Sequence, residues 1–296
     1  MTTRRTLSSF ITDWNSNNIS LMSVPHNYGA DVVTSYSRQF YGTDEVNQQV
    51  TPDQLRISEL GKYALPQVLR GVLYKEFGFK VQYTRYCGRS ADIFHCGDVA
   101  EAKFVALWQA YGLVVENLQT KVTWNTVLGH LDCTIDGAVV DCKSANDSNF
   151  KRYLKKPPDS YLTQVACYAE AVGVPSACLF FYNKNTSEVG VYYLTVADKV
   201  RVLERAKSLV EYAGLCTTVE DVYTYFEPPD LIAESYQKRL TGNFVVQYDL
   251  YDPWPDLLYV REDGISGYGD ARKYVTHIRT PEEISELMVS VYNLPF

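Results

Sequence analysis

The chain has 296 residues, of which 46% are hydrophobic and 21% are charged, and its formal net charge is −7. This balance is typical of a globular protein with a full hydrophobic core, and it excludes a disordered or fibrous chain. No apolar run approaches the length of a membrane-spanning helix. Seven scattered cysteines without a Cys-x-x-Cys pair indicate reduced thiols. We therefore expect a cytoplasmic protein with no membrane contact.

Residues 1–94 are predicted to form a helical lead-in. A helix-like stretch runs from Ser58 to Phe77 and is interrupted by Pro66, because proline lacks a backbone donor. The next helix is predicted over residues 97–111, since apolar side chains recur there at helical spacing and Gly112 supplies a stop signal. These apolar side chains are Ala100, Phe104, Leu107 and Tyr111.

A strand over residues 113–125 is predicted next, followed by a β-hairpin. The turn of this hairpin is Asp136-Gly137, because a two-residue turn needs positive φ at both central positions and this dipeptide adopts it readily. With these two residues in the turn, Ile135 faces Ala138 across the strands. The register of the whole hairpin follows from this pairing.

Ionisable side chains collect on one face of the predicted hairpin. Counting outward from the turn, Asp132 stands opposite Asp141, and His130 stands opposite Lys143. Strand alternation places all four side chains on the same face. The other face is apolar and suited to pack on a helix, and it consists of Leu131, Cys133, Ile135, Ala138, Val140 and Cys142.

Two aspartates at this spacing indicate a metal site. Like charges directly opposite each other destabilise a hairpin unless something such as a cation offsets them, and Mg²⁺ prefers carboxylate oxygens together with water and phosphate oxygens. A metal held by Asp132 and Asp141 would polarise a phosphorus centre. The Lys143 ammonium would then orient a water or stabilise the developing charge. The pattern therefore predicts hydrolysis of a phosphodiester.

A basic segment follows the hairpin and is predicted to be a loop that holds a nucleic-acid backbone. Its cationic side chains would neutralise phosphates, and its two aromatic rings would stack on unpaired bases. The alternative is an ordinary solvated basic loop. The cations are Lys151, Arg152, Lys155 and Lys156, and the rings are Phe150 and Tyr153.

Helical and strand signals alternate after this loop. Pro157-Pro158-Asp159-Ser160 marks the start of a helix that reaches about Val172. Gln164 and Tyr168 are four residues apart in it and share a face. Two apolar, β-rich runs then form a second hairpin and are followed by another helix. These three elements are predicted at residues 177–182, 189–196 and 197–213.

The last segment, residues 217–296, is acidic, with 14 Asp or Glu against 6 Lys or Arg. Its centre, residues 248–256, is rich in tyrosine and proline, and a helix is predicted from Pro281 to about Val291. We interpret this segment as an extension that stabilises the fold. The alternative is an acidic arm that binds a protein partner or mimics DNA.

In chain order, these motifs resemble those of the PD-(D/E)xK nuclease superfamily, and specifically its RecB-like exonuclease branch. The matching motifs are Gly129-x-x-Asp132, Val139-Val140-Asp141-Cys142-Lys143 and Gln164-x-x-x-Tyr168. The resemblance covers residues 95–213. The chain departs from the family pattern in two respects, because Asp132 and Asp141 are closer in sequence than in many relatives and no proline precedes Asp132.

The resemblance implies a larger site than the hairpin alone. An upstream helix contributes a ligand within a Gly-x-x-x-Glu element, here Gly97 to Glu101. The backbone carbonyl between the acid and the lysine is also implied as a ligand. The implied ligands of a Mg²⁺ or Mn²⁺ ion are Glu101, Asp132, Asp141 and Cys142. The implied catalytic residues are Glu101, Asp132, Asp141, Lys143 and Gln164. Tyr168 is implied as a further DNA-binding residue beside those of the basic segment.

No iron–sulfur cluster is expected. Some RecB-like nucleases hold such a cluster with one upstream cysteine and a downstream trio. In this chain only Cys216 lies downstream of residue 178. The two cysteines of the hairpin, Cys133 and Cys142, fall on its apolar face and are interpreted as small buried hydrophobic residues.

The sequence thus predicts an α/β fold with a mixed central β-sheet flanked by helices. The nuclease core spans residues 95–216, between the helical N-terminal and the acidic C-terminal extensions. The resemblance implies a metal-dependent DNA exonuclease that acts on free DNA ends in phage replication or recombination, in the host cytoplasm if the chain is phage-encoded. Its substrate partner is DNA.

Two alternatives stay open at this stage. One is a structure-specific or restriction-type endonuclease. The other is a catalytically idle nuclease fold that serves as a DNA-binding or assembly module. An idle member would be expected to have lost at least one residue of the set, and the chain retains Glu101, Asp132, Asp141 and Lys143.

Overall fold

The computed structural model describes residues 5–19, 55–61, 65–78, 89–226, 259–261 and 275–290. Its helices are α1 (Leu7–Asn15), α2 (Leu65–Phe77), α3 (Arg89–Tyr111), α4 (Asp147–Tyr153), α5 (Asp159–Ala171), α6 (Val196–Leu215), α7 (Val219–Phe226) and α8 (Pro281–Ser290). Its strands are β1 (Val115–Glu116), β2 (Thr120–Trp124), β3 (Val127–Leu131), β4 (Cys133–Ile135), β5 (Ala138–Ala145), β6 (Ala177–Asn183), β7 (Val189–Tyr193), β8 (Tyr259–Arg261) and β9 (Val275–Ile278). Cys87 and residues 248–256 lie outside the described residues.

These elements belong to two compact units. The first contains α1, the segment from α3 to β7, and α6 up to Ser208. The second contains α2, α7, α8, β8, β9 and the remainder of α6. The division of the sequence at residues 94 and 216 is not tested by this packing and stays a prediction.

A five-stranded sheet forms the centre of the first unit, in the order β1-β4-β5-β6-β7. Strands β5 and β6 run parallel, whereas the other neighbours run antiparallel. Helices α3 and α5 both pack on this sheet. The predicted fold class, a mixed sheet flanked by helices, is therefore confirmed.

One face of the sheet packs on α1 and α3 through an apolar cluster. The buried rings of Phe104 and Trp108 lie 4.8 and 4.9 Å from the ring of Phe180, measured between centroids, and Phe10 of α1 contacts both helical rings. The hairpin contributes three buried side chains to this cluster, Cys133, Ile135 and Val140. The prediction that the apolar face of the hairpin packs on a helix is confirmed.

Helix α1 also covers the edge strand β7. The side-chain amide of Asn15 donates to the Val189 carbonyl at 2.8 Å and accepts from the Val189 N–H at 3.0 Å. A reciprocal capping box between Thr6 and Ser9 starts this helix. At Val189 the backbone groups of this edge are therefore already paired.

The central hairpin forms as predicted. Ile135 pairs with Ala138 and Cys133 pairs with Val140. The turn residues Asp136 and Gly137 have φ values of 50° and 80°, the positive values that a two-residue turn of this kind needs.

Beyond Cys133, the predicted register is wrong. His130 pairs with Lys121 of β2 rather than with Lys143, because β3 leaves the hairpin and forms a separate two-stranded sheet with β2. At the point of departure, the Asp132 carboxylate accepts the N–H of Cys142 at 2.7 Å. A side-chain oxygen thus satisfies a backbone donor of β5 where the neighbouring strand is missing.

The single strand predicted over residues 113–125 is also wrong. It is divided into β1 and β2 by a bend in which Asn117 and Gln119 have φ values of 53° and 48°. Neither residue is glycine, so the extended sequence pattern did not reveal this left-handed bend. β1 pairs with β4, whereas β2 pairs with β3.

Most other predicted elements of the first unit are confirmed within a few residues. Helix α3 begins earlier than predicted, at Arg89, and ends at Tyr111, followed by Gly112 with a φ of 94°. Helices α5 and α6 and the hairpin of β6 and β7 lie where the sequence predicts them.

The second unit has its own apolar core. Side chains of α2, α7 and α8 are buried together, among them Leu73, Val222, Ile284 and Met288. The helix predicted from Pro281 is confirmed. Its buried side chains agree with a fold-stabilising role for this part of the acidic segment, whereas a partner-binding role stays a prediction.

Among the residues described, no helix combines the length and the apolar character needed to cross a membrane.

A Gly137→Ala substitution should destabilise the hairpin. A side chain at a φ of 80° costs about 1 to 2 kcal/mol, although the added Cβ meets no atom within 4 Å. Chemical denaturation would measure this loss. Gly214→Ala is the matched control, because its Cβ also meets no neighbour and alanine is favoured in a helix; equal destabilisation of both variants would contradict the prediction.

Candidate functional site

The centre of the site is an ion pair on β5. The side chains of Asp141 and Lys143, two residues apart, lie on the same face of the strand. The Lys143 ammonium is 2.7 Å from Oδ2 of Asp141, which is fully buried, and the lysine side chain is 20% exposed. The predicted proximity of these two groups is confirmed.

Helix α5 lies against this pair and brings Gln164 to it. The Lys143 ammonium donates to Oε1 of Gln164 at 3.4 Å, and Nε2 of Gln164 donates to the Tyr168 hydroxyl at 3.2 Å. The same ammonium lies 5.1 Å from the centre of the Tyr161 ring. Tyr161 and Gln164 of this helix therefore lie next to the lysine, and Tyr168 binds Gln164.

The glycine of the first motif has a packing role. A Cβ at Gly129 would lie 2.7 Å from the Tyr168 ring and 3.0 Å from Ile57, so only glycine lets β3 approach α5 without displacing these side chains. Tyr168 is 2% exposed. Its ring is therefore not open to a nucleic-acid base, and the prediction of Tyr168 as a DNA-binding residue is not supported by its position.

Two further carboxylates lie close to the ion pair. Asp132 is placed by the departure of β3 from the hairpin, and its carboxylate binds the Cys142 N–H. Glu101 comes from α3, where its Oε1 accepts a hydrogen bond from the side-chain amide of Gln119. The structure thus places the implied ligands Glu101, Asp132 and Asp141 in one region, from three separate elements.

Burial, together with the mutual repulsion of these acids, raises the pKa values of Glu101 and Asp132. Burial, followed by the charge of Asp141, raises the pKa of Glu101 to about 7. Burial and the charges of Asp141 and Glu101 raise the pKa of Asp132 well above its usual range. Although burial disfavours its ammonium, the charges of Asp141 and Asp132 raise the pKa of Lys143 above its ordinary value. The lysine therefore stays cationic.

A cavity of about 220 Å³ lies beside these groups. Its polar wall includes Glu101, Asp132, Lys143 and Ser144, and its apolar wall includes Phe104 and Tyr182. Asp98 also lines this cavity, so a small polar ligand in it would lie among three acidic side chains and the Lys143 ammonium.

The donors present fit a hard divalent cation. Asp141 is 0% exposed. Its Oδ2 lies 2.7 Å from the Lys143 ammonium, whereas its Oδ1 has no hydrogen-bond partner among the described residues. A cation would complete the environment of this carboxylate. In the described part of the chain, however, no three or more His, Cys, Asp or Glu side chains are arranged to hold a metal. Asp132 and Glu101 instead bind N–H groups of the protein.

The basic segment is not the loop that the sequence predicts. Residues 147–153 form helix α4, whose first turn is capped by the side chain of Asn146. Lys151 pairs with Asp147 at 2.8 Å, and Arg152 donates to Asn149 at 2.8 Å. Lys155 and Lys156 follow the helix, are exposed, and pair with no carboxylate among the described residues.

The two rings predicted to stack on bases are largely occupied within the protein. Phe150 is 6% exposed. Tyr153 is half-buried and lies 5.8 Å from the rings of both Tyr161 and Phe181. Base stacking by Phe150 is wrong for this reason, whereas Tyr153 keeps part of its surface exposed.

Sequence reasoning missed two residues of the site. Tyr161 is three residues before Gln164 on α5, and helical spacing alone was a sufficient signal to find it. Gln119 lies in the bend that the sequence pattern assigned to a strand. No local signal connects it to Glu101.

Comparisons with known structures give matches to exonuclease structures at low sequence identity. An alkaline exonuclease from Laribacter hongkongensis matches with a TM-score of 0.41 and 11% identity, over 61% of this chain and 95% of that one. Its complex with dAMP matches with a TM-score of 0.40 and 11% identity, over 64% and 94%. A phage-related exonuclease from Haemophilus somnus matches with a TM-score of 0.40 and 13% identity, over 61% and 96%.

No family model matches the sequence, and no curated protein is significantly similar to it. In the order of its elements and in the placement of the hairpin acids and lysine, the chain resembles the PD-(D/E)xK nucleases. The roles of individual residues are taken from the geometry of this chain alone.

The metal-free protein should lose stability as the pH rises through about 7. A carboxyl group whose pKa is raised in the folded state stabilises the fold when protonated, and this contribution disappears above the raised pKa. For Glu101 the raised value is about 7, so the expected loss between about pH 5 and about pH 8 is on the order of 1 to 3 kcal/mol. Urea unfolding in the presence of EDTA would measure it.

Glu101→Gln should reduce this pH dependence, because it removes the charge but keeps an acceptor for Gln119. Glu204→Gln is the control, since Glu204 is exposed on α6. A Glu101→Gln variant with the full pH dependence of the unchanged protein would show that Glu101 does not carry the effect.

Proposed function

We propose that the chain is a Mg²⁺- or Mn²⁺-dependent deoxyribonuclease, an exonuclease that hydrolyses phosphodiester bonds from DNA ends. The observation that carries the proposal is the buried Asp141 beside Lys143. The side chains of Lys143, Asp132 and Glu101 line one cavity. Carboxylates of this kind select hard cations, and an adjacent ammonium suits a reaction in which negative charge develops.

The proposed ligands of the metal are Glu101, Asp132, Asp141 and the Cys142 carbonyl. When bound, a divalent ion would polarise the phosphate and stabilise the charge that develops on its oxygens. Glu101 and Asp132 would each present a second oxygen to the ion, because the hydrogen bonds from Gln119 and from the Cys142 N–H engage one oxygen of each carboxylate.

The proposed role of Lys143 is to orient the attacking water and to stabilise the negative transition state. Its raised pKa keeps the ammonium charged, and its contacts with Asp141 and Gln164 limit its rotamers. Gln164 is proposed to hold the lysine in position. The Tyr161 ring lies 5.1 Å from the same ammonium and is proposed to limit the access of water on that side.

The proposed DNA contact uses the basic segment after β5. Lys155 and Lys156 are exposed and would neutralise backbone phosphates. Lys151 and Arg152 are exposed as well, but each already binds a neighbouring side chain. Tyr153 is the aromatic side chain of this segment with surface left for a base or sugar.

Action on ends, rather than within the strand, is proposed from the motif resemblance, as are the phage setting and the host cytoplasm. The endonuclease alternative has the same catalytic groups. Incubation with Mg²⁺ of linear DNA and of covalently closed circular DNA distinguishes the two. We expect rapid digestion of the linear form alone, and rapid cutting of closed circles would overturn the exonuclease assignment.

Asp141→Asn should lower the hydrolysis rate by about 100-fold or more, because it removes the buried charge on which both metal and lysine depend. Lys143→Met should have a similar effect on activity. It also leaves Asp141 buried without a cation, which costs about 3 to 5 kcal/mol, so melting curves must accompany it.

End-labelled single and double strands provide the measurement, with Glu204→Gln as the control. If the unchanged protein binds DNA but cuts neither linear nor circular forms with Mg²⁺ or Mn²⁺, the idle-module alternative is correct. Near-complete activity of Asp141→Asn would contradict the assigned role of this acid.

Lys155→Ala with Lys156→Ala should weaken DNA binding and reduce the slope of log affinity against log salt by about 2, since each phosphate contact contributes about 0.9 on duplex DNA. Fluorescence anisotropy with a short labelled duplex, in the Asp141→Asn background that prevents cutting, gives both values. Lys151→Ala is the matched control, because Lys151 is already paired with Asp147. If Lys151→Ala lowered DNA affinity and the salt dependence as much as the double variant, the assignment of Lys155 and Lys156 as the main phosphate contacts would be refuted.

A further inference from the structure

The bend between β1 and β2 is left-handed at two residues, with φ values of 53° at Asn117 and 48° at Gln119. Asparagine adopts this conformation readily, whereas glutamine seldom does. Backbone in this region persists only where the surrounding structure stabilises it, and it is often found at functional sites. The bend lies directly beside the candidate site.

Three hydrogen bonds attach the bend to the site. The side chain of Asn117 donates to the Thr134 hydroxyl at 3.1 Å, which ties the bend to β4. The backbone N–H of Gln119 donates to the carbonyl of Asp132 at 3.0 Å. The side-chain amide of Gln119 donates to Oε1 of Glu101 on α3.

Gln119 is therefore connected to two proposed metal ligands at once. Its backbone holds the segment that carries Asp132, and its side chain holds the carboxylate of Glu101. Glu101 has a long side chain on a helix at the opposite face of the sheet from Gln164. Without a partner, its carboxylate would sample several rotamers.

We propose that Gln119 is a positioning residue that orients Glu101 toward the metal. This inference rests on the proposed function, in which Glu101 is a ligand. Donation to one oxygen leaves the other oxygen available to the ion, and a hydrogen bond of this type to a ligand increases metal affinity. The link to Asp132 keeps the two ligand-bearing segments at a constant separation.

Gln119→Asn tests the side chain apart from the backbone. Asparagine tolerates a positive φ and preserves the backbone N–H, but its amide is one methylene shorter and does not reach Glu101. Mn²⁺ binding to the metal-free full-length protein, measured by titration calorimetry, should weaken about tenfold. Leu118→Ala is the control in the same bend, since its side chain is 45% exposed, and its Mn²⁺ affinity should stay unchanged.

A double variant separates positioning from a general loss of structure. If Gln119 acts through Glu101, then Gln119→Asn should weaken Mn²⁺ binding no further once Glu101→Gln is present. Two outcomes would overturn the role of Gln119 but not the proposed metal site. One is that the losses of Mn²⁺ affinity add up in the double variant. The other is that Glu101→Gln weakens Mn²⁺ binding whereas Gln119→Asn leaves it unchanged. Unchanged binding by both single variants would instead overturn Glu101 as a ligand and with it the proposed metal site.

Discussion

The buried ion pair of Asp141 and Lys143 is the constraint on which the site depends. The two side chains are two residues apart on β5 and lie on the same face of the strand, so their proximity does not depend on a tertiary contact. Transfer of a carboxylate into the interior is costly, and a pair seldom repays more than that cost. Replacement of a buried ion pair by apolar residues is often neutral or stabilising. The charges are therefore better explained by chemistry than by stability.

The second requirement of the site is the opening of the sheet at Asp132. If β3 continued beside β5, backbone pairing would occupy the position where the carboxylate now lies, and the site would be closed. Because β3 pairs with β2 instead, the Asp132 side chain takes over a backbone donor of β5. The same opening lets Glu101 approach from α3. One change of strand partner thus brings together carboxylates from both sides of the sheet.

The sequence predicted the features that arise from local rules. Asp136-Gly137 determined the turn, and alternation from that turn placed Asp141 beside Lys143. It did not predict the opening at Asp132, because that depends on β2 as a competing partner and on a left-handed bend formed without glycine. The helical state of the basic segment was missed although Asn146 is a capping residue. The burial of Tyr168 depends on close packing against Gly129, which is a tertiary contact.

The raised pKa values of the acids at the site also bear on the alternative of a catalytically idle nuclease fold. Burial and mutual repulsion raise the pKa values of Asp132 and Glu101, so each carboxylate weakens the fold at neutral pH when no cation is present. Replacement of either by its amide would relieve repulsion and retain a hydrogen-bond acceptor. A fold used only for binding or assembly gains stability by such a change and loses nothing. A chain that retains all of these acids, and supplies an N–H donor to both Asp132 and Glu101, is consistent with a cation as their functional partner.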